Sequence, residues 1–504
     1  MLEVTVFLGG ALVMVLEMVG ARVLAPHVGT SAIVWTSLIG VVLACLALGA
    51  WAGGRLADKN FSRQKFGLIL AGAGLGSALT ALSHGLVGEM AGAVGNLYLA
   101  AVLAAAGVFA LPAFFFGMVS PCAVRLRMSG VDTAGRTVGR LYALSTAGSI
   151  AGTFLGGFVL ISFFGSASIL WGVAACTLGL ALCHARDWRK AQALLLAASC
   201  LMAVGADRYG QWQEQKGTSH LVESPYNSIR VFEGIDHGEG GRRVRLMATD
   251  PGYSQSGMYL DAPAELYFRY TRYYALGPLF APGARRVLML GGGGYSVPKW
   301  LLARPGPLAH CDDMRLTVVE LDPAMTATAR RWFALQDDPR LTVRHEDARA
   351  FLNRQKEQYD LVFVDVFNSH YAVPFQMGTR EAAAALRRAV APGGVLLMNV
   401  ISAVEGEDGR LFQSIYNALR SAFAHVRVYC VGGTARPRDV GNLMLAAFAE
   451  EPDGAAEAAW EKSASPALLA LLRTRYRGRL DFATLPLTDD FAPVERYAIM
   501  LLRQ

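Results

Sequence analysis

The chain has 504 residues, 53% hydrophobic, with 47 Lys+Arg against 40 Asp+Glu, too long and too apolar for one soluble domain. Of the net +7, Met1–Ala206 supplies +6, from 12 Lys+Arg and 6 Asp+Glu, so the basic excess lies between apolar runs. That argues against a nucleic-acid partner, which needs a basic face on the polar part. Five of seven cysteines (Cys45, Cys122, Cys176, Cys183, Cys200) fall in the apolar part and none forms C-x-x-C. They read as small hydrophobes, with no metal site expected.

Apolar runs long enough to cross hydrocarbon, about 17–25 residues, fall at 4–25, 32–52, 66–84, 97–119, 141–164 and 167–184. A shorter seventh run is 190–206. The first contains Glu17 and Arg22 and lacks a basic leader, which argues against a cleavable signal. Small residues recur every four positions at Gly49/Gly53 and Gly148/Gly152/Gly156, a spacing that lets helices approach closely in lipid. Glu17 inside a span is costly, and its nearest candidate partner is Arg22.

Three basic clusters separate the runs: Arg55, Lys59, Arg63 and Lys65; Arg125, Arg127, Arg136 and Arg140; Arg186, Arg189 and Lys190. Lys and Arg collect on the cytoplasmic side. With seven crossings the polar half then ends outside, unless 190–206 lies along the interface.

Residues 207–218 are polar and read as a linker. Strand-like alternation follows at 229–233 and 243–247, a small β lobe over 219–262. From 263 to 504 strands at 286–290, 316–321, 341–345, 360–365 and 394–400 alternate with helices, notably 323–334 and 379–390. This pattern predicts a Rossmann-like parallel sheet covered by helices, with ligands at the strands' carboxyl ends. Those ends carry Gly291-Gly292-Gly293-Gly294, then Glu320 and Asp322, then Asp347, then Asp365. Single acids there serve as helix caps, and Asp322 before Pro323 reads as one. After Gly294 come Tyr295, Ser296 and Val297. The third glycine of a dinucleotide turn is absent, which tilts the reading toward an adenosylmethionine type of site.

The polar half resembles the spermidine synthases, the polyamine aminopropyltransferases, and the whole chain resembles their membrane-spanning branch. The matching segments are Glu223-Ser-Pro-Tyr-Asn-Ser-Ile229, Gln255-Ser256, Leu288-Met-Leu-Gly-Gly-Gly293, Val319-Glu-Leu-Asp-Pro323, Ala329-Arg330, Glu346-Asp-Ala-Arg-Ala-Phe-Leu352, Tyr359-Asp-Leu-Val-Phe-Val-Asp365 and Thr488-Asp-Asp-Phe-Ala-Pro-Val-Glu495. The resemblance implies an α-helical transmembrane bundle of about seven spans, then an α/β Rossmann-like, methyltransferase-type domain with a small N-terminal β lobe.

It also implies roles. Gly291, Gly292, Gly293 and Gln255 contact the nucleoside, Glu320 holds the ribose, Asp347 and Ala348 the adenine, and Asp365 is the base. Tyr270, Arg272 and Asn368 fall on the acceptor side. The family's carboxylate after the glycine run is Gly294 here, and its second acid three residues past the base is Asn368. Its acidic diamine grip is reduced to Glu265 within Ala264-Glu-Leu-Tyr-Phe-Arg-Tyr-Thr-Arg272. Buried ammoniums need acidic partners, so the acceptor is expected to differ from an ordinary diamine.

The expectation is a membrane-bound enzyme using S-adenosylmethionine or its decarboxylated form. It breaks a sulfonium C–S bond and releases methylthioadenosine without a metal. A lyase or cyclase, a methyltransferase, or a non-catalytic sensor coupled to transport are the alternatives. The setting expected is a bacterial inner membrane, with the polar half cytoplasmic on grounds of substrate supply. A homodimer is a further expectation.

Overall fold

The computed structural model describes residues 1–501 except 30, 60, 95, 129, 131, 132, 185–188, 217, 218, 250–252, 312, 368–373, 434 and 435. The chain divides into two compact units, Met1–Gly217 with Glu223–Ser228, and Thr218–Val222 with Ile229–Gln504.

The first unit is helical: α1 Leu2–Val28, α2 Ala32–Ala57, α3 Arg63–Gly92, α4 Leu97–Arg127 and α5 Ala134–Phe154. α5 continues through a wider turn, Leu155–Leu160, into α6 Ile161–Phe163. α7 Ser166–His184 and α8 Arg189–Lys216 complete the unit. Among the described residues, six stretches are long and apolar enough to cross a membrane: Leu2–Ala25, Ala32–Ala57, Arg63–Gly92, Leu97–Arg127, Ala134–Phe163 and Ser166–His184. Most of the expected linker continues α8, which is helical through Lys216, in keeping with its Gln, Glu, Lys and Arg, which are good helix formers.

Close helix contact explains the small residues. A Cβ on Gly148 would lie 1.8 Å from the Phe7 carbonyl oxygen, so α1 and α5 meet backbone to backbone. The ends of the helices are fixed by polar contacts within the unit. Arg140 donates to Glu3 at 3.1 Å and Thr5 Oγ1 pairs with His184 Nε2 at 2.8 Å. At the other end, Arg22 donates to the Ile161 carbonyl at 2.7 Å and to Glu223 at 3.2 Å. Glu223 also accepts from the Ser166 backbone N–H at 2.8 Å. Arg22 therefore pairs with Glu223 rather than with Glu17. One turn and a half of helix separates positions 17 and 22 and turns them onto different faces.

The second unit opens with a four-stranded sheet in the order β1 Ser219–Glu223, β2 Ser228–Asp236, β3 Arg242–Ala248, β4 Ser256–Tyr259. Next come α9 Arg269–Arg272, α10 Leu276–Phe280, β5 Arg286–Leu290, α11 Ser296–Leu302, β6 Arg315–Glu320, α12 Pro323–Trp332, β7 Leu341–His345 and α13 Ala348–Arg354. The chain continues with β8 Tyr359–Val364, α14 Arg380–Ala389, β9 Val390–Ser402, α15 Arg410–Arg420, β10 His425–Cys430, β11 Gly441–Phe448, α16 Gly454–Ser463, α17 Pro466–Leu472 and α18 Val494–Leu501.

The second sheet has the order β10-β11-β9-β8-β5-β6-β7. β9, β8, β5, β6 and β7 are parallel, while β11 runs antiparallel to both β9 and β10. Alternate residues feed two cores. Val287, Met289, Leu361, Phe363, Val395 and Leu397 face one layer, and Leu288, Leu290, Val362, Val364, Leu396 and Met398 the other. That is the period-two signature of a strand buried on both faces. Each such side chain contributes about 1.5–3 kcal/mol. Strand order reverses between β5 and β8, which opens a crevice at their carboxyl ends.

Candidate active site

The crevice is built by two strand ends lying side by side. Asp365 N–H donates to the Leu290 carbonyl at 2.9 Å, which carries the β5–β8 ladder to its last rung. Gly291 then turns with φ 91°, and a Cβ there would stand 2.4 Å from the Asp365 carbonyl oxygen. Only glycine meets both demands.

The turn is held from behind. Glu320, 8% exposed, accepts from Gly292 N–H (2.8 Å), Gly293 N–H (3.2 Å) and Asp322 N–H (3.0 Å). Burial raises its carboxyl above the usual range, and the backbone N–H groups of Asp322, Gly292 and Gly293 oppose that rise. Ser256 Oγ takes Gly294 N–H at 2.8 Å, and Tyr295 N–H bonds the Gly292 carbonyl at 2.8 Å. Gly291 N–H goes to the Val319 carbonyl at 2.9 Å. Every backbone N–H from 291 to 295 thus has a partner inside the protein. Gly294 is buried, and a Cβ on it would approach Ser256 Cβ to 2.8 Å. A carboxylate does not fit at that position with this packing.

Asp365 is half-buried and fully hydrogen-bonded on its open side. Asn399 Nδ2 donates to Oδ1 at 3.2 Å and the Tyr270 hydroxyl to Oδ2 at 3.3 Å. Burial pushes its carboxyl up to about 6, against the opposing hydrogen bonds from Asn399, Tyr270 and Tyr274. Burial likewise raises the Tyr270 and Tyr274 hydroxyls well above the usual value, with the Asp365 charge adding to it, so both remain protonated donors.

A cleft with about 400 Å³ of free space, part of it open to solvent, joins Gln255, Ser256, Phe268, Tyr270, Gly291, Gly292, Gly293 and Asp365, with Thr271, Met289, Ser296 and Val297 completing the wall. Asp365 is the one ionisable acid among these lining residues, and none of them is Lys or Arg. The Gln255 side chain accepts from Thr249 Oγ1 at 3.1 Å, and its carbonyl from the Tyr270 hydroxyl at 3.4 Å.

Other residues singled out in the sequence lie elsewhere. Asp347 caps α13 by accepting from Ala350 N–H at 2.8 Å, and Ala348 packs against the second core. Neither is among the cleft's lining residues. Arg272 is not among this cleft's lining residues. It donates to the Leu266 carbonyl at 3.1 Å and lines a separate apolar groove with Leu279, Trp300 and Leu468. Two residues of helix turn it about 200° from Tyr270. Glu265 faces Arg242, at 3.0 and 3.1 Å, and that same groove. Asn368 lies outside the described residues. Sequence reasoning missed Asn399 and Tyr274. Asn399 had a signal, as the single polar side chain in the buried run Val395–Val400.

The sheet order and the crevice define a methyltransferase-type α/β fold with its ligand site at the switch point. Residues 268–436 match the spermine/spermidine synthase domain. The chain is similar to the polyamine aminopropyltransferase of Vibrio vulnificus, 30% identical over 230 residues that cover 45% of this chain and 70% of the relative. It is 26% identical over 411 residues to polyamine aminopropyltransferase 2 of Ralstonia nicotianae, covering 74% of this chain and 75% of the relative. That share is more than residues 219–504 can supply, so the alignment runs into the helical unit. Among solved structures, a probable spermidine synthase from Corynebacterium glutamicum is similar over 54% of this chain and 97% of its own, with 23% identity and a TM-score of 0.44. The chain belongs to the spermine/spermidine synthase family and is an enzyme of that transferase type.

Proposed function

We propose that this protein transfers an aminopropyl group from decarboxylated S-adenosylmethionine to an amine other than a simple diamine. The acceptor nitrogen attacks the propyl carbon bonded to the sulfonium. The C–S bond breaks toward sulfur, methylthioadenosine leaves, and the attacking amine loses its proton to Asp365. A sulfonium is already a good leaving group, so positioning and one proton acceptor suffice. The observation that carries the proposal is Asp365 itself, a half-buried carboxylate held up to about 6 at the switch-point crevice. That value leaves it ionised at neutral pH yet basic enough to take a proton.

Two features support the decarboxylated donor. The backbone donors from 291 to 295 are already engaged. The described lining residues include no cation to pair with a substrate carboxylate. Arg272, a cation that a lyase acting on S-adenosylmethionine could use to pair the substrate carboxylate, lines another groove. The altered acceptor rests on the glycine at 294 and on Glu265 being engaged by Arg242.

The purified full chain, incubated with each donor with and without putrescine and longer amines, tests this directly. Methylthioadenosine formed from the decarboxylated donor and dependent on an amine supports the proposal. S-adenosylhomocysteine would mark a methyltransferase, acceptor-independent methylthioadenosine a lyase, and tight binding without turnover a sensor.

For the membrane half, the proposal is a bacterial inner membrane with the basic loops in the cytoplasm. α8 has 28 residues, about 42 Å of helix, enough to cross by length alone. A crossing by α8 is also supported by Glu223, which meets Arg22 and Ser166 at the end opposite the basic loops. The chain then emerges after residue 218 on the outer face, against the expectation from substrate supply. A reporter fused after Gln504 reads this directly, and a cytoplasmic signal returns α8 to the interface.

A further inference from the structure

Asn399 is 1% exposed and sits on β9 with its amide nitrogen 3.2 Å from Asp365 Oδ1. An asparagine amide has two orientations of nearly equal shape, one presenting N–H₂ and the other C=O. The first stabilises an ionised Asp365. The second sets an acceptor against a carboxylate, and becomes favourable only once Asp365 is protonated and can donate. Something must choose between them.

The chooser is visible one strand away. β11 pairs with β9 so that Met444 lies opposite Asn399 and Asn442 opposite Ile401. Asn442 is therefore the diagonal neighbour of Asn399 on the same face of the sheet. Its Nδ2 donates to Asn399 Oδ1 at 3.0 Å. With that oxygen engaged, the Asn399 nitrogen is turned toward Asp365.

We infer that Asn442 is a positioning residue for the reaction: it locks the Asn399 amide in the orientation that supports the ionised base. The inference rests on the reading of Asp365 as the base, though the lock itself can be measured without turnover. The groups facing Asp365 are Tyr270 from α9, Tyr274 from the turn after it, and Asn399 from β9. The tyrosine hydroxyls stay protonated across the working range, and Tyr274 also donates to the Val364 carbonyl at 3.0 Å. Asn399 is thus the neighbour whose donor can be exchanged for an acceptor by a simple flip. Asn442 lines a different pocket, with Cys430, Gly432 and Asp439, and is not among the crevice's lining residues.

The test uses the full chain in detergent with Asn442→Leu, which is close in size and uncharged, and Asn442→Gln, which keeps an amide. The Asp365 carboxyl is followed by carbon-13 NMR titration, with Asp365→Asn identifying its signal, and the pH profile of methylthioadenosine release is recorded in parallel. In Asn442→Leu, free flipping lets protonated Asp365 donate to Asn399. The titration midpoint and the acid limb of the profile should both rise by about half to one pH unit, with Asn442→Gln near wild type. A midpoint unchanged in Asn442→Leu, or moved equally in Asn442→Gln, overturns the inference. If no variant, wild type included, releases methylthioadenosine while the midpoint still moves, the lock stands and the proposed activity falls.

Discussion

The two units use the same residue type for opposite ends. In the helical unit Gly148 lets one backbone lie on another, with the Phe7 carbonyl where a Cβ would go. In the α/β unit Gly291 also faces a carbonyl, that of Asp365, but at a left-handed turn that ends a strand and begins a binding site. Lipid offers no hydrophobic drive between helices, so the first unit depends on close van der Waals fit. The second has two large apolar cores, and its glycine lines the crevice at the strand ends. Losing glycine should therefore damage assembly in one unit and chemistry in the other.

Perturbations can break that contrast, beginning with the largest expected effect. Asp365→Asn keeps the volume and removes the proposed base, and methylthioadenosine release should fall about 10²–10⁴-fold with donor affinity little changed. Gly148→Val forces α1 and α5 apart. It should cost at least about 3 kcal/mol, read as a sharp loss of folded protein during thermal unfolding in detergent. Gly291→Ala combines a strained φ, about 1–3 kcal/mol, with a clash against Asp365. Donor KM should rise at least about tenfold while the helical unit's melting is unchanged. If Gly291→Ala instead unfolds the whole chain, the contrast between the units is lost.

The pH dependence gives a smaller effect with a definite sign. Asp365 has its folded carboxyl raised from 3.8 to about 6. Between those values the folded state holds more protons than the unfolded one, so this group's contribution to stability declines as pH rises through that window. Activity runs the other way, falling below about pH 6 as the base is protonated. Asp365→Asn should therefore be inactive yet more stable than wild type at pH 7, by up to about 3 kcal/mol, measured as a shift in melting temperature. Least affected should be Glu265→Gln. Because Glu265 faces Arg242 rather than the crevice, acceptor KM should stay within about twofold.

Much of the fold was legible because strands buried on both faces read as short apolar runs. The run 286–290 coincides with β5, and 360–365 lies within one residue of β8. The acids were legible as strand ends, and Asp322 as a cap before Pro323, but the task of Asp347 was not. Asp322 and Asp347 both cap helices, and an acid that caps looks in sequence like an acid that binds. Arg272 and Tyr270 are neighbours in the chain and face away from each other across α9, which only the helix phase reveals. The partner of Arg22 was illegible because Glu223 lies some 200 positions on, beyond any local pattern. Asn399 shows a middle case. Its polarity inside Val395–Val400 was a readable signal that went unused, and its partner Asn442 comes only from strand pairing.

The glycine turn has one more consequence, for inhibition. A loop whose backbone donors are all occupied by Glu320, Ser256, Val319 and Gly292 has nothing left with which to recognise an amino-acid head group. Adenosyl inhibitors that gain affinity from a carboxylate at that end should lose their advantage here. Thioether nucleosides with a short uncharged tail should compete with the donor at least as well, so the selectivity of a drug-like ligand for this protein would lie in its nucleoside and its sulfur.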